Sequence, residues 1–383
     1  MQNKFPKTLT LSWSVPPAAS GSGIVMHNLL SQFTPAEMVA VGAYYVGHAR
    51  SIWTKEKPHI FYGLIHPPEN WRGHRWILLL QFPALLLTSI WVLFFFRCKV
   101  IFVVYPDHLF LLAGYLLSKI FNKPLYAYFH NTYLENNPNS RLAHWLQPMV
   151  FKRAKHIFVM SEGLESYYKK LYPDLKCSAL VHTTMKYLEA DNVVLPPIHN
   201  PLRLVFAGNV NASCSEAMGR FVKLIKNNPE FSLQIYSGMR KKTFQNIGIF
   251  SDNIVIANVP YDFLLNHIQK ADVVIHPHGF LGEMALHEYE TIFPTKTIEY
   301  LQCRRPILAH VPADSFIAKF YRERDCALLV CEPTVEALYE GLMQISKDDA
   351  LRKKLVTNAL KAARRFYAPN VIQRLRDVIG AVV

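Results

Sequence analysis

The chain has 383 residues, enough for two domains of ordinary size. Its residues are 51% hydrophobic and 18% charged, which excludes a disordered or low-complexity chain and supports large cores. Lys and Arg total 42 against 28 Asp and Glu, a net charge of +14. Residues 1–200 carry 19 basic and 10 acidic side chains, net +9, and the remainder carries 23 and 18, net +5. A basic excess of this kind attracts phosphates, anionic lipid or nucleic acid and does not choose among them. Nucleic acid is the partner not expected here. No helix-turn-helix, RNP or zinc pattern is present, and the aromatics fall in apolar strands rather than in basic stretches.

The first apolar run, TLTLSWS, reads as a strand, and no charged start, apolar core and cleavage site precede it. PPAASGSGIVMHNLL follows and opens a helix. Gly21, Ser22 and Gly23 there form a strand-to-helix loop that lets backbone approach a ligand, although the third glycine of a dinucleotide fingerprint is missing. Further strands read at MVAVGA, KVIFVVY, LYAYFH, HIFVMS and SALVHT, with helical stretches between most of them, such as 109–120 and 163–172. The alternation predicts a parallel sheet covered on both faces. His130 ends the LYAYFH strand, where a neutral imidazole can donate to a substrate hydroxyl or take a proton.

Residues 76–96, WILLLQFPALLLTSIWVLFFF, interrupt the pattern with an uncharged apolar run flanked by Arg72, Arg75, Arg97 and Lys99. The length approaches that of a membrane span. Gln81 and Pro83 and the strand that follows at once favour, in order, a domain helix with one face on a membrane, a core helix, and a true span. The proline-rich segment 191–203 reads as a linker. We therefore expect an N-terminal domain over 1–195 and a second domain over 196–365. A terminal helix over 366–383, broken near Pro369, is expected to pack back on the first domain.

The alternation restarts with RLVFAG, FSLQIYSG, NIVIANV, DVVIHP, PILAHV and ALLVCE, and helices fit 215–226, 261–271, 296–303, 314–324 and 335–345. The expected class is α/β, with two Rossmann-like doubly wound domains and a ligand cleft at the carboxyl ends of both sheets. The segment HEYETIFPTKTIEYLQCRRPILAH carries the strongest chemical signal. A helix expected to begin near Thr295 would offer the amides of Thr295, Lys296 and Thr297 to an anion, with the Lys296 charge beside them. Glu299, one turn in, can accept two hydroxyl donors, as a ribose diol offers. Six cysteines, without a CxxC pair, read as reduced thiols of a cytosolic protein, and no metal-ligand spacing is present.

FPTKTIEYLQCRRPILAH resembles the donor-site motif of retaining glycosyltransferases of the GT-B fold, especially family 4. The glycine loop, the strand ending in His130, HIFVMSEGLESYYKKLYP and NIVIANVPYDFLLNHIQKADVVIHPH resemble that family's segments in the same order. The resemblance implies a nucleoside diphosphate sugar as co-substrate, a role for Glu299 at the ribose, and Pro294, Thr295, Lys296 and Thr297 at the diphosphate. It also implies a role for His130 near the transferred sugar, retention of configuration, and an acceptor-side loop at Gly21–Gly23. No cofactor or metal is expected. Two departures stand out. The family's acidic position eight residues before the helix glutamate is Thr291 here, and Glu290, one place off, is expected to serve as the catalytic acid group beside the role given to His130. The family's Arg and Lys after the first strand of the second domain are not in register here, where that strand ends AGNVNASCSE; Gly208 and Asn209 there are expected at the donor, with Arg240 and Lys241 after the next strand supplying charge instead. The acceptor is expected to be a saccharide or lipid-linked precursor, as in polysaccharide biosynthesis, met in the cytoplasm or peripherally at the inner face of a membrane. A non-catalytic partner or scaffold of the same fold, or a sugar-nucleotide epimerase, are the alternatives.

Overall fold

The computed structural model describes residues 5–16, 21–45, 53–66, 74–185, 188–191, 193–226, 228–280 and 286–381. The chain forms two compact units, Met1–Met185 with Phe366–Val383, and Lys186–Arg365. Each is an α/β unit built on one parallel sheet.

The first unit begins with β1 (Thr8–Ser12), α1 (Gly21–Leu30), β2 (Met38–Tyr45) and β3 (His59–His66). Then come α2 (His74–Leu80), α3 (Phe82–Phe95), β4 (Val100–Tyr105), α4 (His108–Ile120) and β5 (Leu125–Phe129). It continues through α5 (Arg141–Arg153), β6 (Ala154–Val159), α6 (Glu162–Leu171) and β7 (Cys177–Ala179). The seven strands lie in the order β3-β2-β1-β4-β5-β6-β7, all neighbours parallel. All six residues of β4 are buried, as expected for an apolar run covered on both faces. Helix starts are set by short polar side chains. Asp107 accepts from the Leu109 and Phe110 amides at 2.8 and 3.1 Å, and Ser140 and Ser161 cap α5 and α6 in the same way.

The apolar run 76–96 is two helices. Its break falls at Gln81, whose side-chain amide leaves the helix to pair with the edge strand. The Ile65 N–H donates to Gln81 Oε1 at 2.7 Å, and Gln81 Nε2 donates to the Ile65 carbonyl at 3.0 Å. Pro83, in the first turn of α3, needs no helical hydrogen bond there. Among the described residues no helix is long and apolar enough to cross a membrane. α3 buries Leu85, Ser89, Val92 and Leu93 on the sheet. Gly63 of β3 allows this approach, since a Cβ there would lie 2.6 Å from Leu85 Cδ1.

The second unit contains β8 (Leu202–Ala207), α7 (Ser215–Lys226), β9 (Phe231–Tyr236), α8 (Lys241–Asn246) and β10 (Ile254–Ala257). After these come α9 (Tyr261–Ile268), β11 (Val273–Pro277), α10 (Leu286–Thr291), α11 (Thr297–Gln302) and β12 (Ile307–His310). α12 (Phe316–Arg324), β13 (Leu328–Val330), α13 (Val335–Lys347) and α14 (Asp349–Ala363) complete it. Its six parallel strands run β10-β9-β8-β11-β12-β13. The segment read as a linker is partly packed, for Val193 is buried against Val356 and Leu360 of α14. α15 (Ala368–Gly380), with Pro369 in its first turn, belongs to the first unit. Arg376 of α15 pairs with Glu37, and a parallel bridge joins Thr184 to Tyr367.

Candidate functional site

In the second unit the chemistry collects where β8 and β9 end. β11 stays in register with β8 only as far as Val205, so the N–H and C=O of Ala207 on that side have no ladder partner. The buried Tyr300 of α11 supplies one. Its hydroxyl accepts from the Ala207 N–H at 2.9 Å and donates to the Ala207 carbonyl at 3.0 Å. That anchor fixes α11 against the next residue, Gly208, whose φ of +125° is a backbone state that L side chains rarely adopt. The Gly208 N–H donates to the Tyr236 carbonyl at 2.8 Å. Asn209 turns outward, and its Oδ1 accepts from Ser237 Oγ at 2.8 Å, tying the two strand ends together.

Lys296 lies beside this turn. Its Nζ is 4.2 Å from the Phe206 ring centroid, and a Cβ on Gly208 would sit 3.7 Å from its Cδ and 4.0 Å from its Nζ. No ion pair among the described residues involves Lys296. Burial lowers its pKa, against a smaller opposing effect of Cys214. The buried imidazoles of His276 and His278 face the same charge. Desolvation first, and Lys296 second, push His278 down to about 3 and hold His276 well below its ordinary range, so both are neutral. Glu299 Oε1 accepts the Tyr261 hydroxyl at 2.6 Å, and Oε2 is buried with no hydrogen-bond partner among the described residues. Burial raises the Glu299 pKa, with the Tyr261 hydrogen bond opposing. Among the described residues the group thus offers one cation without a counter-carboxylate, a half-buried glycine turn, and a carboxylate with free acceptor capacity.

The helix carrying these residues is shorter than expected. α11 starts at Thr297, not near Thr295, with Lys296 at the cap position in helical backbone. The Thr297 amide is consumed by the Pro294 carbonyl at 3.0 Å, because Pro294–Thr297 close a turn before the helix begins. A three-amide seat over Thr295, Lys296 and Thr297 is therefore reduced, and the Lys296 side chain becomes the main feature facing an anion. Arg240 and Lys241, exposed at the start of α8 after β9, make no ion pair among the described residues. Glu290 is exposed on α10, while Glu288 on the same helix is buried and the Thr291 hydroxyl donates to the His287 carbonyl at 2.8 Å.

In the first unit, Gly21, Ser22 and Gly23 open α1, and a Cβ on Gly21 would meet nothing within 4 Å. His130 follows β5, and its N–H donates to the Tyr105 carbonyl at 3.2 Å. Its Nδ1 lies 3.4 Å from Ser22 Oγ, its ring stands edge-on to Tyr128 at 4.6 Å, and its Nε2 has no hydrogen-bond partner among the described residues. Burial, and then the charge of His182, lower the His130 pKa to about 3; burial lowers that of His182 to about 4. His130 and His182 are thus both buried and neutral, with the half-buried Ser22 hydroxyl beside His130. His182 was missed in the sequence although it ends the apolar run SALVH as His130 ends LYAYFH. Tyr261, Tyr300 and Ser237 carried no sequence signal, since their value lies in partners remote along the chain.

The six cysteines are unpaired, and among the described residues no cluster of His, Cys, Asp or Glu is arranged to hold a metal. No family model and no curated protein matches the chain. Solved structures do. A sucrose-phosphate synthase from Thermosynechococcus elongatus superposes with a TM-score of 0.72 at 15% identity, over 98% of this chain and 100% of that one. HepE from Anabaena, in complex with UDP-glucose, gives 0.70 at 11% identity over 98% and 100%. The lipopolysaccharide outer core galactosyltransferase WaaB gives 0.62 at 11% over 98% and 100%. With two Rossmann-like units in succession and this likeness along nearly its whole length, the chain has the GT-B fold of glycosyltransferases.

Proposed function

We propose that this protein is a glycosyltransferase that takes a sugar from a nucleoside diphosphate sugar held by its second unit. The observation that carries the reading is the placement of Lys296, without an ion pair among the described residues, against the Gly208 turn, with the half-used Glu299 carboxylate one helical turn further on. Lys296 would meet the diphosphate, and its charge would stabilise the leaving group as the glycosidic bond breaks. Glu299 would accept the ribose hydroxyls. Arg240 and Lys241, free of ion pairs among the described residues, add positive charge near the end of β9, so the leaving group's charge is met by side chains and the reaction runs without a divalent metal. We assign His130, with Ser22 and His182, to positioning hydroxyls in the first unit. Their neutral rings suit hydrogen bonding to uncharged groups. Retention of configuration follows the family resemblance, and the acceptor is a saccharide or a lipid-linked precursor. The UDP and UDP-glucose complexes of HepE support a nucleotide sugar as the partner.

The test is thermal unfolding with UDP, GDP, ADP, TDP and CMP, each with and without EDTA. A ligand at about 100 times its Kd stabilises by roughly 2.7 kcal/mol, a shift of several degrees. One nucleotide should shift the transition regardless of EDTA, and Glu299→Ala and Lys296→Met should each abolish the shift. Absence of any shift would leave a non-catalytic scaffold of the same fold as the better reading.

A further inference from the structure

A surface helix in a folded domain ordinarily turns polar residues outward. α3 does not. Its inner face packs on the sheet, yet its outer face presents Leu87 and Phe95, each 67% exposed, with Trp91 and Phe94 also exposed. α2 continues the same surface with Leu80, 81% exposed, and Trp76, 72% exposed. On the other side, Phe94 meets Phe121 edge-on at 5.0 Å, and the neighbouring Ile120 at the end of α4 is exposed. Large apolar side chains gathered in this way mark an interaction surface.

The charges around the patch indicate its occupant. Arg97 and Lys99 directly follow α3, Lys119 adjoins Ile120, and all three are exposed. Between residues 70 and 134 the sequence has six Lys and Arg (Arg72, Arg75, Arg97, Lys99, Lys119 and Lys123) against one acidic residue, Asp107. That carboxylate is engaged in capping α4. An apolar helix face with tryptophans at both ends and a cationic rim matches the interface of an anionic bilayer, where rings sit at headgroup level and lysines reach phosphates. The break at Gln81 fits this role. It divides an apolar run that would otherwise approach spanning length into two shorter helices, and it fastens them to β3 through Ile65.

We infer that the α2–α3 face docks this protein peripherally on an anionic lipid bilayer, with α3 lying in the interface and Arg97, Lys99 and Lys119 on lipid phosphates. The inference does not depend on the glycosyltransferase reading, because docking needs neither nucleotide nor turnover. A chain that fails to dock but still responds to nucleotide would refute this proposal alone.

The experiment is flotation of the full chain with phosphatidylcholine vesicles, with and without phosphatidylglycerol, at low and high salt. Binding should require phosphatidylglycerol and weaken with salt. Leu80→Ser/Leu87→Ser should lower the partition coefficient by at least about tenfold, since each leucine loses its transfer to an apolar phase. Lys99→Glu/Lys119→Glu should lower it by roughly tenfold or more on anionic vesicles. Brominated lipid should quench the fluorescence of the wild type and much less that of Trp76→Phe/Trp91→Phe. All these side chains are exposed, so the variants should keep the wild-type melting temperature, which verifies folding. No flotation on anionic vesicles at low salt, flotation unchanged in Leu80→Ser/Leu87→Ser, or a stable dimer in solution that the same variant dissolves would each overturn the proposal.

Discussion

Tyr300→Phe removes one oxygen atom and tests how the second unit builds its turn. The phenol serves both polar groups of Ala207, a residue only 3% exposed that β11 has already left. Without the hydroxyl, a buried N–H and a buried C=O lose their partners together. Each such loss costs about 1–3 kcal/mol, so we expect about 3 kcal/mol in all. In a unit of this size that lowers the melting temperature by roughly 6–12 °C. Lys296 precedes Tyr300 by about one turn and depends on the same anchor, so nucleotide affinity should weaken several-fold even though no contacting side chain has changed. The assay is urea unfolding, followed by titration with whichever nucleotide stabilises the wild type. Tyr321→Phe is the comparison, because Tyr321 is equally buried but its hydroxyl meets a side chain, His276 Nδ1 at 2.7 Å, rather than both polar groups of a strand end. It should cost about 1 kcal/mol and spare nucleotide binding. A loss below about 1 kcal/mol in Tyr300→Phe, or equal losses in the two variants, would refute the reasoning.

Two further outcomes follow from the same geometry. Gly208→Val places a branched side chain at φ +125° and beside Lys296, so it should destabilise the second unit by about 1–3 kcal/mol and abolish the nucleotide response; a wild-type melting curve would contradict this. His130 is neutral when folded, with a pKa near 3 against 6.5 for an ordinary histidine. Between those values the unfolded chain binds the extra proton, so stability falls as pH drops from 6.5 toward 3. His130→Gln should flatten that slope by up to about 1.4 kcal/mol per pH unit, read from urea midpoints at pH 7, 6 and 5; an unchanged slope would show that the imidazole is solvated.

The parallel strands were legible because their burial on both faces writes itself as uninterrupted apolar runs, as in VIFVVY of β4. β3 was not. It is an edge strand whose outer residues are partly exposed, and its HIFYGLIH pattern lacks the continuous run of a central strand. Residues 76–96 showed their apolar length plainly but not that Gln81 would leave the helix for Ile65, a contact fixed by tertiary packing. The candidate segment was visible through Pro294, Lys296 and Glu299. The late start of α11 depends on a turn closed by Pro294, and the value of Tyr300 depends on where β11 parts from β8; neither has a local sequence signature. His182 was within reach, since it closes the apolar run SALVH three residues past β7, much as His130 closes LYAYFH after β5.

The return of α15 to the first unit makes that unit discontinuous in sequence. Residues 1–185 complete their sheet without the bridge from Thr184 to Tyr367 and without the Arg376–Glu37 pair, both of which arrive only after the whole second unit has been synthesised. The second unit is one uninterrupted segment and can fold as soon as it leaves the ribosome. The first unit, begun earlier, is sealed last. Shortening the chain by its final helix would therefore be felt hundreds of residues away in sequence, around Glu37 and Thr184 and the helix that carries Ser22, rather than in the neighbouring residues of α14.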